Sequence, residues 1–136
     1  MGIEALVLSS MVLVNMGPTM TTGYRSEKRF TDSSPLYTSI GEHVHPHGVA
    51  VSQDLLCPAA LFIDPRIRKH KASTCHLKNK IHYGDLLFIQ GIGFKFVNDT
   101  MNKRHRHWVD VWVPNKEEEK AIKPAYRQVV RVRGMQ

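Results

Sequence analysis

The sequence predicts a mainly β fold, a small six-stranded barrel with one or two short helices. Three observations point there. Six short runs have strand composition: Thr19–Tyr24, Gly48–Ser52, Asp85–Gln90, Phe94–Asn98, Trp108–Val113 and Gln128–Val132. Turn-forming residues separate them, at Gly17-Pro18, Thr31–Pro35, Pro46-His47-Gly48, Gly84-Asp85, Gly91 and Gly93, Pro114-Asn115 and Pro124. Helical periodicity is weak along the whole chain.

Taken in order, the first element is the least settled. The run Ala5–Val14 has the length of a signal-peptide core, but Glu4 precedes it and no basic residue or small-residue cleavage site flanks it. A degenerate secretion signal and an N-terminal strand or helix both remain open for residues 1–18. The run is too short to span a bilayer, so no transmembrane segment is expected. Residues 19–133 form the domain. Within it, residues 57–80 break the strand rhythm as a basic insertion bracketed by Cys57 and Cys75. A stretch of that length inside a compact domain is usually functional or mobile. The two cysteines either close one disulfide loop, worth about 3 kcal/mol by chain-entropy arithmetic, or are unrelated thiols. The best helix candidate is Asn115–Ile122, where Asn115 suits an N-cap and three glutamates suit the positive end of the macrodipole. Ser52–Leu56 fits a further single turn.

The length of 136 residues fits one domain, and 42% hydrophobic with 23% charged residues is a globular composition rather than a disordered one. A formal charge of +7 favours anionic partners: nucleic acid, a membrane surface or an acidic polymer. Residues 101–136 hold nine Lys and Arg against four Asp and Glu, so the excess gathers near the C-terminus.

Trp108–Val113 alternates so that Trp108, Asp110 and Trp112 share one face and Val109, Val111 and Val113 the other. The valines suit a core. A carboxyl between two indoles is disfavoured as an anion, which raises its pKa toward that of a general acid. The commoner fate of such a residue is an exposed aspartate on an edge strand. Lys103–His107 reads as a solvated connection or as a contact for an anion or polymer beside Asp110. No nucleic-acid-binding signature accompanies it, and nucleic acid is not the expected partner. His43, His45 and His47 alternate, but Pro46 interrupts them and no further ligand is evident, so neither metal nor cofactor is expected.

Five segments together resemble the three-aspartate (3D) domain family. MTTGY at Met20–Tyr24 is similar to its opening strand, and TDSSPLYTSIGEHV at Thr31–Val44 to its following loop. GVAVSQDLL at Gly48–Leu56 resembles the segment holding the first aspartate, here Asp54. In His82–Val113, Asp99 and Asp110 fall on the second and third aspartates at a D-x10-D spacing, and AYRQVVRV at Ala125–Val132 resembles the closing strand. The chain departs from the family at Met101-Asn102, where many members carry two glycines, and there resembles a D-x-M-N variant.

The resemblance implies a double-psi β-barrel and a peptidoglycan lytic transglycosylase, which cuts the β-1,4 bond between N-acetylmuramic acid and N-acetylglucosamine without water. It implies a secreted or wall-associated protein, extracellular or periplasmic, with glycan strands as its partner. Asp110 inherits the catalytic acid/base role; Asp54 and Asp99 would orient it and line the groove with Thr22, Tyr24 and Thr100, while Trp108 and Trp112 stack sugar. The basic run would meet acidic wall polymers. The rival reading is a noncatalytic, expansin-like carbohydrate-binding barrel.

Overall fold

The computed structural model describes residues 11–25, 38, 43–57 and 80–134. Six strands follow in order: β1 (Met11–Tyr24), β2 (Gly48–Val51), β3 (Leu86–Ile89), β4 (Gly93–Thr100), β5 (Trp108–Trp112) and β6 (Ala125–Gly134). They close into a mixed barrel in the order β1-β5-β2-β4-β3-β6. A 3-10 turn, Gln53–Leu55, follows β2, and one helix, α1 (Lys116–Ala121), joins β5 to β6. The closed barrel, with one short helix among the described residues, is the architecture that the strand spacing predicts.

Alternation builds the core. On β5 the even positions stay partly exposed while Val109 and Val111 are buried. Those valines meet Val49, Val51, Leu87, Ile89, Val97 and Val129 inside the barrel, with Leu56, Ile81 and Tyr83 packed against them. Helix α1 starts where its sequence indicates: the Asn115 side chain accepts the Glu118 amide at 2.9 Å, satisfying one of the orphan donors of a helix start.

The first strand is longer than the sequence suggests. Residues 11–18 are its first part and pair antiparallel with β6. Gly17-Pro18 has the composition of a turn, yet here it follows a β-bulge. The register shifts between Asn15 and Gly17, Gly17 takes a positive φ of 73°, and the Asn15 side chain accepts the Gly17 amide at 2.9 Å. A bulge absorbs glycine and proline without ending the strand.

Two pairs are parallel, β1 with β5 and β2 with β4, and parallel pairs need crossover connections. The stretch 57–80 leaves and rejoins the barrel at one point. Cys57 donates its amide to the Ile81 carbonyl at 2.8 Å, and Ile81 donates to Leu55 at 2.8 Å. Cys57 is buried and disulfide-bonded. Residues 58–79, most of the loop 31–42 and the start of the apolar run at 5–14 lie outside the described residues. No described helix is long and apolar enough to cross a membrane.

Candidate active site

Strand register assembles the site. Thr22 on β1 lies beside Asp110 on β5, Asp110 beside Ala50 on β2, and Ala50 beside Asp99 on β4. The row Thr22–Asp110–Ala50–Asp99 therefore crosses four adjacent strands. Neighbouring strands are about 4.8 Å apart, so the two aspartate backbones stand about 10 Å apart with a methyl group between them. Met20 pairs with Trp108 and Tyr24 with Trp112, which sets the two indoles on either side of the row.

Asp110 is held by a directed relay. The Trp108 indole N–H donates to Thr22 Oγ1 at 2.8 Å, and Thr22 Oγ1 donates to Asp110 Oδ1 at 2.8 Å. An indole nitrogen only donates, so the Thr22 oxygen accepts there and its single proton goes to Asp110. Oδ1 thereby accepts one hydrogen bond, which favours Oδ2 as the place for the proton of a neutral Asp110. Burial raises the pKa of Asp110 from 3.8 to about 7; the Thr22 hydrogen bond opposes the rise, and the negative charges of Asp99 and Glu119 add to it. Asp110 is thus divided between acid and carboxylate near neutrality. Glu119 approaches from α1, where it pairs with Arg25 at 3.1 Å.

Asp99 is tied differently. Its Oδ1 accepts the Thr100 amide at 2.8 Å and its Oδ2 accepts the Tyr24 hydroxyl at 3.3 Å. Burial, then the charges of Asp99 and Asp110, push the Tyr24 pKa far up, so the phenol stays a neutral donor. The Thr100 hydroxyl turns to the barrel backbone, donating to Val51 O at 3.0 Å.

Asp54 stands apart from this pair. It lies on the 3-10 turn, and both of its carboxylate oxygens accept the His107 amide, at 3.2 and 3.0 Å. Among the described residues no hydrogen bond joins it to Asp99 or Asp110. His107 itself has a positive φ of 50°, and its Nε2 lies 3.1 Å from both Thr19 Oγ1 and Met16 O at the β1 bulge. Asp54 therefore fixes the loop that delivers Trp108. Ser52 completes this clamp: its Oγ accepts the Trp108 amide at 3.0 Å and its own amide donates to Trp108 O at 2.9 Å.

Of the residues singled out in the sequence, Thr22, Tyr24, Asp99, Trp108, Asp110 and Trp112 gather on one face of the barrel, while Asp54 and the Thr100 hydroxyl serve as supports. The residues missed are Ala50, Ser52 and Glu119, while His107, named in the sequence as part of the basic run, is instead tied to Asp54 and the β1 bulge. No signal in GVAV marks Ala50 as a spacer between two acids; its place follows from strand pairing. His45 and His47 close a turn, with His45 Nδ1 accepting the His47 amide at 3.2 Å. Among the described residues no three His, Cys, Asp or Glu side chains gather as a metal site. Comparison with family models, curated proteins and solved structures finds no match to this chain.

Proposed function

We propose that the barrel is a glycan-cleaving acid/base enzyme, a lytic transglycosylase of peptidoglycan that uses Asp110 as its single proton carrier. The observation that carries this reading is the setting of Asp110: largely enclosed but still partly exposed, oriented through Oδ1 by Thr22, and with a pKa of about 7. A group so poised both gives and takes a proton at neutral pH. In the proposed reaction Oδ2–H protonates the glycosidic oxygen as its bond to C1 breaks. The resulting carboxylate takes the proton of the muramyl 6-hydroxyl as that oxygen bonds to C1. Asp110 regains its proton, no water is consumed and a 1,6-anhydro sugar remains.

Trp108 and Trp112 supply flat apolar faces for sugar rings on either side of the acid. Asp99, about 10 Å away along the row, keeps the proton affinity of Asp110 high and borders the groove. On this reading the protein works outside the cytoplasm, at the cell wall.

Purified peptidoglycan incubated with the protein and analysed by mass spectrometry tests the reading. Anhydromuropeptides should appear with the native chain and disappear with Asp110→Asn. Reducing muramic acid ends instead would indicate hydrolysis, with Asp99 activating water across the gap as in two-carboxylate glycosidases. Binding with no product would leave the noncatalytic, expansin-like reading.

A further inference from the structure

The loop that joins β4, which carries Asp99, to β5, which carries Trp108 and Asp110, holds three cations. Lys103, Arg104 and Arg106 are exposed, and their side chains make no hydrogen bond or ion pair among the described residues. Lys116, Lys120 and Lys123, on α1 and just after it, are likewise exposed with no such side-chain contact, whereas five other described cations are engaged. Arg25 pairs with Glu119, Lys80 donates to Asp54 O, Lys95 to Pro46 O, Arg127 to Thr21 O and Lys123 O, and Arg131 to Lys80 O.

The loop that carries the three is tied at both ends. At its start the Met101 amide donates to Val51 O at 3.0 Å and the Gln53 side chain donates to Met101 O at 3.2 Å. At its end the Asp54 carboxylate holds the His107 amide. Between them Asn102 Oδ1 accepts the Arg104 amide at 3.0 Å, Asn102 O accepts the His105 amide at 3.0 Å, and the His105 ring meets Trp108 edge-on at 4.6 Å. The influences acting on Asp110 are burial, the Thr22 hydrogen bond and the charges of Asp99 and Glu119, with no basic side chain among them. The loop cations are thus available to something other than the acid.

We infer that Lys103, Arg104 and Arg106 form an anion subsite that holds a carboxylate or phosphate group of the polymer whose sugar ring rests on Trp108. Guanidinium groups match both anions with paired donors. A loop already fixed at both ends loses little freedom on binding. The neighbouring carboxylates Asp99 and Asp110 favour a polymer with spaced anionic groups over the continuous phosphate line of a nucleic acid. This inference deepens the glycan-cleaving reading and rests on it for the neutral part of the ligand.

The test is sedimentation of the protein with purified cell-wall sacculi at low salt, using Asp110→Asn as the background so that nothing is cleaved. On that background, Lys103→Ser/Arg104→Ser/Arg106→Ser is compared with Lys116→Ser/Lys120→Ser/Lys123→Ser, which removes the same charge from the helix side. The loop variant should bind about tenfold more weakly, the sum expected of three exposed ion contacts, while the helix variant changes much less. Added salt should erase the difference. Sacculi with amidated carboxylates and sacculi stripped of phosphate polymers identify which anion is held, since only one treatment should abolish the loop effect.

Equal weakening by the two triple variants would overturn the subsite in favour of net charge alone. So would undiminished binding to sacculi given both treatments, no binding to sacculi at all, or tighter loop-dependent binding to duplex DNA at the same salt. Failure of the catalytic reading looks different. Loop-dependent binding without anhydro product from the native chain would remove the chemistry and leave the subsite. Equal product release by otherwise native chains with and without the loop substitutions would remove the subsite and leave the chemistry.

Discussion

His107 donates its backbone amide to both carboxylate oxygens of Asp54, at 3.2 and 3.0 Å, and this contact lies at the hinge between the basic loop and β5. A hydrogen bond to a charged acceptor contributes more than a neutral one. Asp54→Ala should therefore lower stability by about 1 kcal/mol, discounted for its partial exposure, and Asp54→Asn by less, because one acceptor remains. Denaturant titration measures both. Trp108 follows His107 directly, so the alanine variant should also shift the tryptophan fluorescence. An unchanged transition and spectrum would remove Asp54 from the support of the site.

The ionisation of Asp110 should show in stability as well as in rate. The folded value is about 7 against 3.8 for the free side chain. The folded protein keeps a proton that the unfolded chain releases between those values. The associated stability is complete below the lower value and is lost as pH rises through about 7. Asp110→Asn escapes that loss. Its stability relative to the native chain should climb between about pH 4 and about pH 8, by at most about 4 kcal/mol. A pH-independent difference in denaturant titrations would mean that the carboxyl ionises as it does in water.

Thr22 acts on the same equilibrium from the other side, since its hydrogen bond favours the Asp110 carboxylate. Thr22→Val should move the Asp110 midpoint above about 7, read from its carboxyl carbon shift by NMR. It also strips the Trp108 indole of its acceptor, at a cost of about 1–3 kcal/mol. Thr22→Ser should restore both. If the serine variant behaves like the valine one, packing rather than the hydroxyl governs the site.

Local signals carried the architecture further than the site. The i/i+2 pattern of β5 and the cap at Asn115 depend on neighbours in sequence, and both appear in the structure as read. The Thr22–Asp110–Ala50–Asp99 row depends on which strands lie side by side, and nothing in GVAV announces that its alanine will sit between two acids. Asp54 illustrates the same limit: the family resemblance groups it with Asp99 and Asp110, whereas its carboxylate faces a backbone amide of a different loop. Gly17-Pro18 misled the segmentation for a local reason. One positive-φ glycine serves a turn or a bulge equally well, and only pairing with β6 distinguishes them.

The bulged strand supplies a further prediction. A chain beginning at Thr19 lacks seven of the ten registered pairs between β1 and β6, along with the Met16 carbonyl that meets His107. Such a chain should show no cooperative thermal transition by circular dichroism. Native-like melting would make the first half of β1 dispensable.

The neighbours of β1 also set an order of events during synthesis. Its two partners are β5 and β6, the last of the described strands in sequence, so both of its edges lack their partners until those strands have been made. The hairpin of β3 and β4 closes locally and is suited to form early, while the contacts of β1 span most of the chain and form slowly. A nascent or C-terminally truncated chain therefore presents β1 as an unpaired template for aggregation. The closing strand β6 is the latch that ends this exposure.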